Sequence, residues 1–391
     1  MKVITGGWKI ISFIDLMKLK INEDTVVMTE NNHDLLVHLK SLNIFKDVIG
    51  YDDYYNNNSV LRDIEQLHQQ QNITDIIPLS EADILRMADL RDKLNIPGQR
   101  YKEALLLRNK QHMKDRAASY GLHTVIPKPV SKLDFNYPFV LKSEDGVGSY
   151  NTFIITSKDD YERVKHLITD NYIFEPYIEG DMYIIDGLVS RGKAIYINPG
   201  RYIGTPLNFV GGNTQSVMPL FEYHPFYDQL LSYGKNLVEN VYPMPTHSWF
   251  HIEVFVDKNG YITLCEIACR APGVNIPFNY KLSHDTDINV EHINLHYIHN
   301  YVCPPKVIKN YKVGSMFVPP KEGKILAKPR LPDSQNIIDI VDMLKVNHQY
   351  EKMKMSNDPI YRIVFKAKSD QEFDFIVSEL NEWARNLLWV N

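Results

Sequence analysis

Two alternating apolar runs around Asn259-Gly260 constrain this chain more than any other feature. The sequence reads Phe250-His251-Ile252-Glu253-Val254-Phe255-Val256, then Asp257-Lys258-Asn259-Gly260, then Tyr261-Ile262-Thr263-Leu264-Cys265-Glu266. Asn-Gly between such runs predicts an antiparallel hairpin. A two-residue Asn259-Gly260 turn pairs Lys258 with Tyr261 and sets Glu253 directly opposite Glu266. A four-residue loop, Asp257 to Gly260, pairs Val256 with Tyr261 and makes the carboxylates diagonal neighbours. Either register places both on one face, because side chains alternate with period two. Facing like charges destabilise a sheet unless something lies between them. A hard divalent cation such as Mg²⁺, which takes carboxylate oxygen, is the natural occupant. His251, Ala268 and Arg270 share that face if the strands continue. Two carboxylates and an arginine there suit a Mg-nucleotide and an anionic reaction centre. A solvated sheet face carrying two unrelated glutamates fits the same pattern.

With 391 residues the chain is long enough for two or three domains, at about 100–200 residues each. Hydrophobic residues at 44% with 23% charged are enough to bury a substantial core. A net charge of -5 gives no electrostatic footprint for nucleic acid. Cys265, Cys269 and Cys303 are too few for a disulfide framework and fit a reducing compartment. Cys265 and Cys269 share one strand with no second pair to complete a zinc site. Met1 to Gly7 starts as a folded strand and lacks a signal-peptide pattern. Trp8 to Met17 is too short, and too broken by Lys9, Ser12 and Asp15, to span a bilayer. The expectation is a cytoplasmic protein without membrane or nucleic-acid partners. A homodimer is the default oligomer.

Residues 1–95 have an α/β, parallel-sheet rhythm, with strands at Val3-Ile4-Thr5, Val26-Val27-Met28 and Asp75 to Pro78, and a helix from Ser59 to Gln71. Gly6-Gly7 reads as a tight strand-to-helix turn or a phosphate cradle. Ile96-Pro97-Gly98 marks a break. A helix follows from Tyr101 to Tyr120, closed by Gly121. The strand Phe139-Val140-Leu141-Lys142, a glycine loop from Ser143 to Tyr150 and a strand from Thr152 to Thr156 come next. Further strands cover Tyr172 to Ile178, Met182 to Val189 and Lys193 to Pro199. Gly200 to Pro219 is polar and reads as a mobile loop. Helices span Phe226 to Val241 and Asp287 to Tyr301. Residues 310–391 are α+β, with a strand from Tyr361 to Lys366 and a helix from Asp370 to Leu388.

Lys142 ends a strand beside Gly146, Gly148 and Ser149, an arrangement that suits phosphate: an ammonium charge plus backbone donors freed by glycine. An exposed lysine at a hairpin turn is the plainer alternative. The loop is not a P-loop, because Gly-Lys-Ser/Thr is missing and a strand follows it. Lys110 lies in a helix, where lysine is usually solvated. In Glu175-Pro176-Tyr177-Ile178-Glu179-Gly180, Pro176 offers a carbonyl without an N–H, and Ile178 an N–H. That pair matches an adenine edge; an edge-strand proline is the simpler account.

In chain order these segments resemble the ATP-grasp superfamily of carboxylate–amine ligases. The segments are Asn109-Lys110 through Lys114 to Gly121-Leu122; Phe139 to Lys142 with its glycine loop; Glu175 to Gly180; His251-Ile252-Glu253; and Glu266-Ile267-Ala268-Cys269-Arg270-Ala271-Pro272-Gly273. The branch most resembled is the L-amino-acid ligases, which join two amino acids. The resemblance implies a pre-ATP-grasp domain at 1–95 and a two-lobed ATP-grasp domain at 96–309, with its small lobe at about 124–200. An α+β subdomain would follow at 310–391. It implies that Lys110 and Lys142 contact ATP phosphates, that Gly146, Gly148 and Ser149 close over them, and that Glu175, Pro176, Tyr177 and Ile178 hold adenine. Glu253 and Glu266 would hold Mg²⁺, for which Mn²⁺ can substitute, and Arg270 would stabilise the phosphorylated intermediate. Three positions depart from the family pattern. Met182 replaces an acidic ribose ligand, with Asp181 as its substitute. Ala268 replaces the asparagine of Glu-x-Asn. Tyr150 follows the glycine loop.

The expected reaction is ADP-forming. A carboxylate is activated as an acyl phosphate and joined to an amine, with amino acids as the substrates of choice. His251 is the nominated base, and the glycine loop and Gly200 to Pro219 are the nominated lids. Val274 is a candidate for setting pocket size. The alternatives are a biotin-carboxylase-like or purine-pathway enzyme of the same superfamily, or an ATP-binding protein without ligase activity.

Overall fold

A computed structural model describes residues 1–273, 275–351, 353 and 358–390. The N-terminal rhythm forms the parallel sheet it predicts: β1 (Lys2–Thr5), β2 (Thr25–Glu30), β3 (Asp47–Tyr51) and β4 (Asp75–Pro78), in the order β3-β2-β1-β4. β3 is additional to the sequence reading; Asp47 and Gly50 interrupt its apolar run. Gly6-Gly7 is a tight turn, since a Cβ on Gly7 would lie 2.0 Å from the Tyr55 hydroxyl.

The single helix expected from Tyr101 to Tyr120 is two, Tyr101–Leu105 and Lys110–Ser119. Asn109 starts the second: its side-chain oxygen accepts from the His112 N–H at 3.0 Å, satisfying one donor left open at the helix start. Lys110 is thereby the first residue of a new helix rather than mid-helix surface. A small antiparallel sheet follows, made of β5 (Lys128–Pro129), β6 (Phe139–Ser143), β7 (Phe153–Ile155) and β8 (Tyr172–Pro176), in the order β5-β8-β6-β7. Phe139, Leu141, Ile155, Tyr172 and Phe174 form its own core.

The remaining strands join one antiparallel sheet: β9 (Asp181–Ser190), β10 (Lys193–Ile203), β11 (Gln215–Pro219), β12 (His247–Val256), β13 (Ile262–Ala268), β14 (Lys312–Val318), β15 (Ile337–Asp342) and β16 (Tyr361–Ala367). Their order is β13-β12-β9-β10-β11-β14-β16-β15. The C-terminal strands therefore extend the central sheet, with Gln215 paired to Phe317 across β11 and β14. This corrects the reading of Gly200 to Pro219 as a mobile loop. Gly200 to Ile203 complete β10, and Gln215 to Pro219 are buried between two neighbouring strands. Polar Gln215 and Ser216 disguised an interior strand. Only the connection between them, with the short helix Pro206–Val210, leaves the sheet.

The hairpin of β12 and β13 reaches the predicted pairing by a different route. The Asp257 N–H donates to the Tyr261 carbonyl at 3.1 Å and the Gly260 N–H to the Asp257 carbonyl at 2.9 Å. Gly260 has φ +80°, so Lys258-Asn259-Gly260 make a three-residue loop closed by a left-handed glycine. That register alone would set Cys265 opposite Glu253 and turn Glu266 to the other face. A bulge intervenes: Val254 pairs with Leu264, and the next pair is Glu253 with Glu266. One extra residue, Cys265, brings the second carboxylate to the face of the first.

Candidate active site

The small sheet, the β12–β13 hairpin and the start of the N-terminal region enclose a cavity of about 1240 Å³. Glu253 and Glu266 face into it together with Lys110, Lys142 and Arg270. A buried chain of acid and base stands behind Glu253. Its carboxylate lies 3.4 Å from His251 Nε2, and His251 Nδ1 lies 2.6 Å from Asp186. The Tyr280 hydroxyl donates to the other Asp186 oxygen at 2.7 Å. Burial opposes a charge on His251, but Asp186 and Glu253 at its two nitrogens prevail and raise its pKa to about 9. Neither Asp186 nor Tyr280 stands out in the sequence, because β9 and the helix Ile276–His284 are remote in the chain from β12.

This arrangement has a pH signature. The folded-state pKa of His251 exceeds its ordinary 6.5, so its contribution to stability is fully present below pH 6.5 and is lost as pH rises through 9. In the metal-free protein, urea unfolding at pH 6 and pH 9.5 is expected to show a larger stability drop for the wild type than for His251→Gln. Equal drops would mean that the imidazole is not held as a cation.

Three charged side chains meet beneath the phosphate-binding candidates. Glu175, buried on β8, takes Lys114 Nζ on one oxygen at 2.7 Å and Lys142 Nζ on the other at 2.7 Å. Burial pushes the Lys114 pKa down, and the neighbouring Lys142 adds to the shift. Burial also opposes the charge on Lys142, but Glu175 outweighs it and holds that pKa above the usual lysine range. Burial would raise the Glu175 pKa, yet Lys142 and Lys114 together hold it low. One buried carboxylate is thus shared by two lysines at the base of the cavity. Lys114 carried no role in the sequence reading. Its signal was its spacing: Lys110 and Lys114 stand four apart on one helix face, and both are buried.

Lys110 Nζ donates to the Gly146 carbonyl at 2.7 Å and lies 3.9 Å from Glu266. Its own N–H donates to the Glu144 carbonyl at 3.0 Å. Arg108 donates to the Asp145 carbonyl at 3.0 Å. The base of the glycine loop is thereby anchored, while Gly148 and Ser149 adopt φ of +58° and +55° and line the cavity with Gly146.

Arg270 also lines the cavity, but β13 ends at Ala268 and the arginine turns toward Glu81, with which it pairs. Glu81 binds Arg108 at 3.0 Å as well. Burial would raise the Glu81 pKa, but Arg270 and Arg108 hold it low. Pro176, Tyr177, Ile178 and Asp181 line the cavity as well. The Tyr177 N–H is taken by the Pro138 carbonyl at 3.3 Å. Gly180 has φ +150°, and a Cβ there would lie 2.8 Å from the Val256 carbonyl, so only glycine lets the chain pass the hairpin here. Asp181 is exposed and Met182 is buried. Burial pushes the Cys265 thiol up to about 12, and the three cysteines are unpaired. Val274 lies outside the described residues.

Among the described residues, no group of three or more His, Cys, Asp or Glu forms a metal cage. A facing pair of carboxylates fits a cation that takes one or two protein oxygens and completes its shell with phosphate oxygen and water, as Mg²⁺ does. Among the described residues, no helix is long and apolar enough to cross a membrane.

A parallel N-terminal sheet, a small antiparallel sheet and a large sheet bearing paired carboxylates together make the fold of the ATP-grasp ligases. The chain is similar to the L-arginine-specific L-amino acid ligase of Bacillus subtilis, 27% identical over 220 residues, which are 51% of this chain and 52% of that protein. The chain thus spans about half the length of this curated relative. Among solved structures, an L-amino acid ligase from Bacillus licheniformis superposes with a TM-score of 0.70 at 15% identity, covering 97% of this chain and 96% of that one. A biotin carboxylase domain of the Hydrogenobacter thermophilus 2-oxoglutarate carboxylase, solved with MgADP, ADP and bicarbonate, superposes with a TM-score of 0.63. It is 16% identical and covers 100% of this chain and 90% of that one. No family model matches the chain. The resemblance read from the sequence stands, with an L-amino acid ligase among both the sequence and the structural matches.

Proposed function

We propose that this chain is an ATP-dependent, ADP-forming ligase that joins a carboxylate to an amine, with two amino acids as substrates. The observation that carries the reading is the Glu253–Glu266 pair, brought face to face by a one-residue bulge and set in one cavity with Lys110, Lys142 and Arg270. Similarity to the arginine-specific ligase supports the choice of substrate class.

In this reading Lys142 and Lys110 bind the ATP phosphates, and the loop carrying Gly146, Gly148 and Ser149 covers them. Pro176 and Ile178 present backbone groups to adenine. The Glu175 side chain keeps Lys142 in place with the help of Lys114, and Asp181 faces the ribose. A divalent cation on Glu253 and Glu266 supplies neutralisation of phosphate charge. The substrate carboxylate attacks the terminal phosphorus, forming an acyl phosphate and ADP. The amine then attacks the acyl carbon, and phosphate leaves. Arg270, fixed by Glu81, offsets charge on the transferring group and on the tetrahedral oxygen. Exclusion of water protects the acyl phosphate, and the glycine loop is the lid available for it. His251 takes a different part from the base first assigned to it. With carboxylates at both nitrogens, it holds its proton and orients Glu253. The protein acts on small molecules in this scheme, and its cellular place is taken to be the cytoplasm.

Phosphate release from Mg-ATP is expected to rise at least tenfold when pooled L-amino acids are added. Release stimulated by bicarbonate alone would instead assign a carboxylase. ATP binding with no stimulated release would assign a non-catalytic nucleotide protein.

A further inference from the structure

Arg201, Arg270 and Arg362 line the cavity, and they differ in what they are bonded to. Arg201 donates to Asp374 at 2.6 Å and to the Asp370 carbonyl at 3.2 Å. Arg270 is paired with Glu81 and donates to the Ala271 carbonyl at 3.0 Å. Arg362, on β16, makes one hydrogen bond among the described residues, from Nη1 to the Asn275 side-chain oxygen at 3.3 Å. Its nearest carboxylate, Asp339, is 4.0 Å away, beyond hydrogen-bond range. Among the described residues its buried Nε has no hydrogen-bond partner. A guanidinium has five donors in a rigid fork, and among the described residues this one spends a single donor on a hydrogen bond.

The side chain is held in place. Asn275 Nδ2 donates to Ser315 Oγ at 2.9 Å, and Ser315 Oγ donates to Asn279 at 2.7 Å. That fixes the Asn275 amide with its oxygen toward Arg362. Phe317, paired with Arg362 across β14 and β16, lines the same wall. Asn275 follows Arg270 by five residues, a separation of at most about 18 Å even if fully extended. Arg362 thus faces the same cavity as Arg270 and the facing glutamates.

Resting on the ligase reading, we propose that Arg362 is a specificity residue that binds, through its fork, a substrate carboxylate that the reaction does not consume. A planar fork matches a carboxylate with two parallel hydrogen bonds. Two sources carry that group: the α-carboxylate of the amino acid serving as amine, or the side chain of an acidic amino acid serving as acyl donor. In both, the carboxylate survives in the product.

Calorimetric titration of the MgADP-loaded protein tests this with L-alanine against L-alaninamide, and L-glutamate against L-glutamine. The wild type is expected to favour the free carboxylate at least tenfold in one pair, and that pair names the source. Arg362→Gln is expected to close the gap while MgADP binding stays unchanged; Arg362→Lys recovers part of it. A gap that persists in Arg362→Gln, or no gap in either pair for the wild type, overturns the proposal. Phosphate release is read separately on the same proteins. A gap closed by Arg362→Gln without stimulated release would sink the ligase reading and leave Arg362 as a carboxylate site. Stimulated release with an unchanged gap would do the reverse.

Discussion

Glu266→Ala is expected to lower Mg-ATP turnover by about a thousandfold while leaving the protein at least as stable as the wild type. The two effects have opposite signs for one physical reason. Glu266 stands directly opposite Glu253 on the neighbouring strand, and facing like charges cost a sheet stability. Its ion pair with Lys110 is long, at 3.9 Å, and its side chain is 27% exposed; the buried Lys110 keeps its hydrogen bond to the Gly146 carbonyl, and Lys142 keeps Glu175. The catalytic loss follows from halving the protein's share of the cation site; losing one group that stabilises transition-state charge typically costs about 10²–10³. Phosphate release measured across a Mg²⁺ titration, with urea unfolding in parallel, checks both arms. Turnover that survives at ordinary Mg²⁺ would remove the cation from this pair, and a large loss of stability would mean that Glu266 is a structural residue.

That pair was legible in the sequence for a sound reason and a fortunate one. The sound reason is alternation about Asn259-Gly260, which predicts the hairpin correctly. The fortunate one is register. Neither turn considered is the one formed, and the three-residue loop by itself would have separated the carboxylates. A bulge is set by how β13 packs against its surroundings, and Leu264-Cys265-Glu266 carries no local mark of it. The Ser59–Gln71 helix and β4 were readable to the residue, because periodicity and breakers agree there.

Charged interior networks were harder to read. Glu175 reads from the sequence as part of an adenine-holding segment that acts chiefly through its backbone, which leaves its side chain without a partner. Its burial depends on Lys114 and Lys142 arriving from a helix and from β6. Asp186, Tyr280 and Glu81 have the same character: each is ordinary in its own segment and acquires a role only from a partner far away in sequence. Arg362 belongs here too. An arginine on a C-terminal strand reads as surface until β16 joins the central sheet and brings it to the cavity.

Glu175→Ala is expected to cost about 3–5 kcal/mol, the usual result of leaving buried charge uncompensated. Two ammonium groups lose their shared partner, and both side chains are nearly excluded from solvent, at 0% for Lys114 and 10% for Lys142. Lys114 is the more exposed to this loss in energetic terms, because burial already works against its charge. The double variant Glu175→Ala/Lys114→Met should recover a substantial part of the cost, since it removes the stranded charge and keeps an apolar stem of similar length. Lys142 keeps a nearby carboxylate in Glu266, which also holds its charge. The wild-type advantage depends on acidity as well. The Glu175 pKa lies below its ordinary 4.5, so the stabilisation is full above pH 4.5 and fades as pH falls through the lower folded-state value. Urea unfolding of the wild type, the single and the double variants at pH 7 and at acid pH measures these differences. A single-variant cost below about 1 kcal/mol would mean that the triad is solvated and contributes little. No recovery in the double variant would place the damage at Lys142 or in packing rather than at Lys114.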